Sequence, residues 1–483
     1  MSVELARIGA TVGGAGLAAL LIGTQRHIRL GGLAAVGLGG ALLAGYLVPG
    51  GSGKLLAAAA VLGIPFAAAG AVLLRRYPWL LPIAGLLCVP VRIPVTVGDT
   101  DANLLLPLYG VIAAAGLALA WSLWRDEDRA RELGPLAWPL AALVALQGLS
   151  LWWSDDPREG AITLVFFVLP FGVLAVCLAR LPWRRESLRN LYLLLGAMAL
   201  VFAGIGVYQW ATRDVFWNPK VIVGNAYAPF YRVNSVFWDP SIYGRFLVIA
   251  ILASLVVVLG GTARRIAIGA TVLIGLVWLG LLFSFSQSSF AALMVGTFAA
   301  AAFVWRWRAA ATVALIGVVL LSAGMAAPSV RHSMFSASDK GLNRASSGRF
   351  DLITNGARIA RDHPVGGVGI GGFKRAYAER TGLRGEEPKK AASHNTPVTV
   401  TAELGIAGLA LLLWLVGAAL LAAFRRAGPG FEGLAALVFG ICLAALAVHS
   451  LFYDAFFEDP MTWGLLALIA LVTATGARET RTA

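Results

Sequence analysis

The chain has 483 residues, of which 59% are hydrophobic and only 13% charged, and its mean hydropathy is +0.78. This excludes a soluble globular domain and predicts a polytopic α-helical membrane protein, because a spanning helix needs about 20 mostly apolar residues and such runs fill the sequence. The formal charge of +14 does not point to nucleic acid, since most arginines lie in short runs between apolar stretches, as in cytoplasmic connections.

In chain order, apolar runs at 9–23, 30–48, 55–74, 79–94, 103–124, 136–152, 161–179, 190–211, 241–260, 266–285, 288–304, 309–327, 397–423, 432–451 and 461–476 predict an all-α bundle of about 14 transmembrane helices. Basic clusters fall on every second connection: Arg26 and Arg29, Arg75 and Arg76, Arg125 to Arg131, Arg180 to Arg189, Arg264 and Arg265, Arg306 and Arg308, Arg425 and Arg426, and the tail Arg478 and Arg481. These are expected inside. The Gly/Pro/Asp-rich connections "PGGSGK", "TVGDTDAN", "WSDDPREG" and "FFEDP" are expected outside, with the long loops Thr212–Pro240 and Pro328–Asn395. Cys88, Cys177 and Cys442 lie in apolar stretches, which suggests core packing rather than a disulfide or metal framework. No small-residue cleavage site follows the first apolar run, so no removed signal peptide is expected.

The first long loop ends in "APFYRVNSVFWDPSIYG". Asp239 can cap the following helix, with Pro240 at its first position. Arg232 stands among Phe230, Tyr231, Phe237 and Trp238, and the plain alternative is an interfacial aromatic belt with a snorkelling arginine. Next comes "SFSQSSFAAL" at an external turn, read either as a hairpin with hydrogen-bonding serines or as the lining of a polar cavity.

The loop from Pro328 to Asn395 carries twelve Lys/Arg against six Asp/Glu, and holds His332, His363 and His394. An insertion of this length between apolar spans points to a functional element. Within it, "ASSGRFDLITNGARIARDHPVGG" predicts a helix capped by Ser346 or Ser347, with Phe350, Ile353 and Ala357 as one stripe. Arg349 falls in its first turn, where a cation is disfavoured unless an anion sits nearby. The run "GGVGIGG" follows a helix and lacks Lys-Ser/Thr, so a P-loop or Rossmann reading is poor. Then "SHNTPVTVTAELG" places His394 at the mouth of a helix capped by Asn395 or Thr396. Glu403 lies about two turns further in, where carboxylates are expensive and usually paired or functional.

Together, the motif Y-R-V-x-S-x-F-x-x-P-x-x-Y-G, the serine hairpin, "SGR…DHPVGGVGIGGF" and "HN…ELGIAGL" resemble the O-antigen ligase and O-antigen polymerase superfamily (Wzy-C type, bacterial cell-envelope polysaccharide), over roughly Tyr208 to Leu413. The resemblance implies a membrane glycosyltransferase of the type-C fold, metal-independent and without a cofactor, that uses undecaprenyl-diphosphate-linked glycan donors. External arginines would hold the diphosphate and a loop histidine would act on the acceptor hydroxyl. Carried over residue by residue, Arg232 matches the first arginine motif, Arg349 the "GR" motif and His394 the "HN" motif. The hairpin departs: many members have Ser-Arg where this chain has Ser286-Gln287. Either one phosphate-binding charge is missing here, or Arg245, Lys220 or Arg344 supplies it.

The expected organisation is an N-terminal transmembrane bundle over 1–211, a ligase/polymerase-like core over 212–451, and a last span with its cytoplasmic tail over 452–483. The expected activity is inverting glycan transfer at the external face of a bacterial plasma (inner) membrane. Arg232, Arg349 and His394 would be catalytic; Arg245, Gln287, Ser286, Arg344, Lys220 and Glu403 would bind substrate. Partners would be the lipid-diphosphate donor, a glycan, lipid or protein acceptor, and membrane lipids, with no nucleic acid. The rival class is a transporter or flippase of anionic glycolipids, which would need polar residues and broken helices deep in the spans.

Overall fold

The computed structural model describes residues 2–48, 53–97, 100–125, 132–182, 184–227, 230–326, 349–383 and 393–482. Over 53–62, 94–97, 100–103, 306–310, 312–326 and 475–482 only the backbone is described.

The architecture is the expected polytopic helical bundle. Its helices are α1 (Val3–Ile22), α2 (Arg26–Leu47), α3 (Gly53–Arg76), α4 (Leu80–Cys88), α5 (Leu106–Trp124), α6 (Ala137–Ser150), α7 (Pro157–Thr163), α8 (Leu169–Ala179), α9 (Arg185–Thr212), α10 (Pro219–Tyr227), α11 (Pro240–Leu259), α12 (Arg264–Ser284), α13 (Gln287–Ala326), α14 (Arg349–Asp362), α15 (Phe373–Thr381), α16 (Thr396–Arg426), α17 (Phe431–His449) and α18 (Pro460–Thr482). One turn of π-helix, Leu164–Val168, joins α7 to α8 into a single span.

Among the described residues ten helices are long and apolar enough to cross a membrane, and Gly134–Ser150 and Pro460–Ala474 are shorter apolar helices. Two of the expected spans come out differently. The run expected to span at 79–94 forms only α4, about 14 Å long, followed by an antiparallel hairpin of β1 (Ile93–Val97) and β2 (Thr100–Leu104). Pro90 and Pro94 stop the helix, and the β-branched residues around them favour a strand. The runs at 288–304 and 309–327 form one continuous helix, α13, because no Gly or Pro between 297 and 316 can make the expected turn.

Helix α11 is the axis. It is mostly apolar and almost wholly buried, as a helix enclosed by others must be, and it packs on α9, α12, α13 and α17. Small residues let α1 approach α2 closely: a Cβ at Gly39 would lie 2.5 Å from the Gly13 Cα. Large apolar side chains such as Val72, Leu193, Ile406 and Leu413 point outward, as lipid-facing residues do.

The chain directions sort the polar residues to two ends. One end gathers the C-termini of α3, α5, α8 and α16 and the N-termini of α2, α9 and α12, hence Arg29, Arg75, Arg76, Arg125, Arg180, Arg184, Arg185, Arg189, Arg264, Arg265, Arg425 and Arg426. There Glu132 ties the fully buried Arg29 to Arg180, the latter at 3.2 Å. The opposite end gathers the N-termini of α11, α13, α16 and α18 with helices α10, α14 and α15.

Candidate active site

The segment before α11 is folded back onto the bundle. The Asn225 amide holds both backbone groups of Arg232, and the Val233 N–H donates to the Phe283 carbonyl at 3.1 Å. Ser235, with φ of +51°, is gripped by Gln209 from α9, which donates to its carbonyl at 3.0 Å and accepts from its N–H at 2.8 Å. Phe237 is buried and meets Phe202 edge-on and Phe246 at a tilt, so it anchors the core instead of joining an interfacial belt. Asp239 caps α11 by accepting from the Ser241 N–H at 2.6 Å, with Pro240 first in the helix, as expected.

Arg232 is half-buried, and its Nε donates to the Ser284 carbonyl at 3.2 Å. Arg349 opens α14, also half-buried. Burial and the charge of Arg232 push the Arg349 guanidinium below its usual value, with Asp239 opposing. The two cations therefore sit within electrostatic reach of each other. Among the described residues neither forms a salt bridge, although Arg245, Arg361, Arg375, Arg380 and Arg426 all do.

His394 stands between Ser393 and Asn395 with φ of +52°, a left-handed conformation that is costly for a residue with a Cβ. The turn is held from both sides. Asn395 caps α16 by accepting from the Val398 N–H at 3.0 Å, and its Nδ2 donates to the Leu451 carbonyl at 2.9 Å. The Asp454 carboxylate accepts from Thr396 Oγ1 at 2.8 Å, Ser393 Oγ at 3.3 Å and Thr399 Oγ1. Burial, then the charge of Arg349, pushes the His394 imidazole below its ordinary value, with Asp454 and Asp239 pulling the other way. Arg232, Arg349, His394, Asp239 and Asp454 thus form one constellation at one end of the bundle.

The remaining expected residues fall in different places. Ser286 is buried, its Oγ 3.1 Å from Ser288 Oγ and 2.8 Å from Ser289 Oγ, and Ser288 Oγ lies 3.0 Å from Nε2 of buried His449. The serine hairpin is a sealed seam between helices and not a cavity wall. Gln287 beside it is exposed. Arg245 is buried on α11 and pairs with Asp459 at 2.9 Å, so its charge is already matched. Lys220 is exposed on α10. Arg344, His332, Ser346 and Ser347 lie outside the described residues. His363 is exposed at the end of α14.

The buried face of α14 is Leu352, Gly356, Ile359 and Ala360. Phe350 and Ile353, expected on the stripe, are exposed. Gly356 decides the rotation, because it lets α14 come down on Val398 of α16 and on Phe373.

Glu403 serves the glycine run. Its carbonyl accepts from the Gly369 N–H at 2.9 Å and its carboxylate from the Phe373 N–H at 3.3 Å. Helix α16 breaks at Gly405, with φ of +68°, and the backbone of Pro364 and Val365 fills the break: Ile406 N–H donates to the Pro364 carbonyl at 2.9 Å. On the other side Gly371, with φ of +77°, lies against Gly160 of α7 so closely that a Cβ would meet its nitrogen at 2.2 Å. The run "GGVGIGG" is a close-packed wedge between α16 and the α6–α7 corner.

Residues 270–413 match the family model of O-antigen ligases. The O-antigen ligase match covers less than a third of the chain, from α12 into α16, and includes Ser286, Gln287, Arg349, His394 and Glu403 but not Arg232. It points to a membrane glycan ligase or polymerase. No curated protein matches the chain. Asn225, His449, Tyr453 (its ring centroid 6.3 Å from that of His394), Asp454 and Asp459 escaped the reading of the sequence. The signal was there for the last four: "HSLFYDAFFEDP" sets titratable groups at the ends of two apolar helices, where such groups are rarely idle.

Proposed function

We propose that the protein transfers a glycan from an undecaprenyl-diphosphate-linked donor to an acceptor hydroxyl, with inversion and without a metal. The observation that carries this reading is the pair Arg232 and Arg349, half-buried, mutually repelling and without a carboxylate partner among the described residues, beside His394. Two such guanidiniums favour a ligand with several anionic oxygens, and a diphosphate supplies them. The N-termini of α11 and α16 face the same end and add to the attraction.

Neutral His394 would take the proton of the acceptor hydroxyl. The acceptor oxygen would attack the anomeric carbon from the face opposite the diphosphate. The bond from that carbon to the diphosphate oxygen would break, and the lipid diphosphate would leave with the electron pair. Arg232 and Arg349 would neutralise the charge that grows on it. The arginines at the opposite end of the bundle favour an external site in a bacterial plasma membrane. The break at Gly405 does not favour transport, because the chain's own glycine wedge fills it.

Purified protein given a lipid-diphosphate oligosaccharide is expected to release free lipid diphosphate in step with acceptor glycosylation, and Arg232→Ala with Arg349→Ala to abolish release. Uptake of the glycolipid into vesicles without release would overturn the reading. For sidedness, Thr381→Cys and Ala263→Cys are placed in a chain whose native cysteines are replaced by alanine. An impermeant maleimide on intact cells should label only Thr381→Cys; labelling only Ala263→Cys reverses the orientation.

A further inference from the structure

Behind the His394 turn lies a cavity of about 240 Å³ that holds neither arginine of the diphosphate site. Its walls come from α6, α7, the glycine wedge, α15, α16 and the loop between α17 and α18. It shares Ser393, Thr396, Thr399 and Asp454 with the hydrogen-bond network that holds His394 in place.

The cavity presents an unmet buried acceptor. Gln147 of α6 lines it, is only 5% exposed, and its Oε1 has no hydrogen-bond partner among the described residues. A buried amide oxygen left without a donor is costly. Across the cavity Glu458 stands at the exposed rim with no hydrogen-bond or ion-pair partner among the described residues, while Lys374 is matched by Glu159.

The chemistry selects the ligand. Glu159 already matches the one lysine on the wall, Lys374, and Asp454 adds a further negative charge, so phosphate and other anions are disfavoured. Among the described residues no three acidic or metal-binding side chains converge on one point, so a metal ion has no ligand set. What remains is a neutral ligand rich in hydroxyl donors. Phe373, Phe456 and Phe457 add apolar wall for the C–H faces of a ring. The volume is many times the ~30 Å³ of a water and below the ~300 Å³ of drug-sized sites, which suits one sugar ring.

We infer that the cavity behind His394 binds one sugar ring of the acceptor glycan, with Gln147 and Glu458 accepting hydrogen bonds from its hydroxyls. The acceptor role rests on the glycan-transfer reading. The ring bound there would lie beside the turn that carries the base.

The test uses the whole protein in lipid nanodiscs, free of sugar-headed detergent. Saturation-transfer NMR is recorded with glucose, galactose, rhamnose and N-acetylglucosamine. At least one sugar should receive saturation, and Gln147→Met should weaken its binding about tenfold, the worth of one buried hydrogen bond, with Glu458→Gln weakening it less. Without sugar, Gln147→Met should be at least as heat-stable as the wild type, because it removes an unpaired buried oxygen. A structural role predicts the reverse, so a clear loss of stability overturns the proposal. So does silence from all four sugars, or equal binding by both variants. Lipid-diphosphate release is measured on the same preparation. Release without sugar binding removes the subsite and leaves the transfer reading; sugar binding without release removes the transfer reading and the acceptor role with it.

Discussion

The side-chain amide of Asn225 grips Arg232 at both of its backbone polar groups: Nδ2 donates to the Arg232 carbonyl and Oδ1 accepts from the Arg232 N–H, each at 2.9 Å. The guanidinium is thereby aimed by a residue of α10, seven positions earlier in the chain, that never needs to touch a substrate. If Arg232 holds the diphosphate, Asn225→Ala should raise the donor KM roughly five- to tenfold, the worth of about one net hydrogen bond, and leave kcat within about twofold. Donor-concentration kinetics decide it, and an unchanged KM would free Arg232 from this dependence.

His394 combines a strained backbone with a proposed chemical role, and the two can be separated. His394→Ala should lower turnover about a hundredfold or more and keep the strain, since alanine also has a Cβ. His394→Gly should be as inactive but more stable, by about 0.5–1 kcal/mol or more, because glycine accepts φ of +52° freely. Thermal melts and turnover on both variants provide the check. Exposed His363 serves as the control, and His363→Ala should stay near wild type.

The pH profile carries the electrostatics. A general base works as neutral imidazole, so activity falls as pH drops through the His394 value. Burial and Arg349 push that value below the ordinary ~6.5, so the acid limb of kcat/KM should lie below it. Arg349→Gln removes a repelling cation and should move the limb of the residual activity upward. Asp454→Asn removes an attracting anion and should move it down. Shifts in the same direction in both variants would contradict the placement of His394 between them.

The arginines divide into two kinds. Arg245 is matched by Asp459 in the interior, so Arg245→Ala strands a buried carboxylate and should cost about 3–5 kcal/mol of stability. Arg232 and Arg349 have no such partner among the described residues. Their replacement by alanine should leave the melting temperature nearly unchanged and lower donor affinity or rate roughly tenfold to a hundredfold, at about 1.5–3 kcal/mol per charge-assisted contact. Lysine should rescue little, because an ammonium cannot engage two oxygens in a plane. Gln287 is exposed beside the serine hairpin, so Gln287→Arg should be tolerated.

The break in α16 has its own signature. At Gly405 a Cβ would lie 2.2 Å from the Val365 carbonyl oxygen, in a backbone conformation with φ of +68°. Gly405→Ala should therefore cost at least about 1–3 kcal/mol and release the glycine wedge, read as a lower melting temperature. Gly417 in the same helix has nothing within 4 Å, and Gly417→Ala should be neutral or slightly stabilising.

Hydropathy, the placement of arginines and local cap motifs already determined the membrane bundle, its two chemically distinct ends and the cap of Asp239, and narrowed the cap of α16 to Asn395 or Thr396, because each depends on residues close together in the chain. The same local logic put Arg349 at a helix start and His394 at a helix mouth. Two segments differed where apolar composition says nothing of conformation: prolines turned 79–94 into a short helix and a strand, and an alanine-rich stretch ran on through an expected turn. Partnership was decided only by the tertiary structure. Arg245 and Arg232 look alike in sequence, yet one meets Asp459 more than two hundred positions away and the other meets no carboxylate among the described residues. Glu403 seats a glycine wedge, and Gln147 faces a cavity assembled from six separate segments. Such facts depend on which distant groups the packed helices bring within about 3 Å of one another, and local pattern carries no record of that.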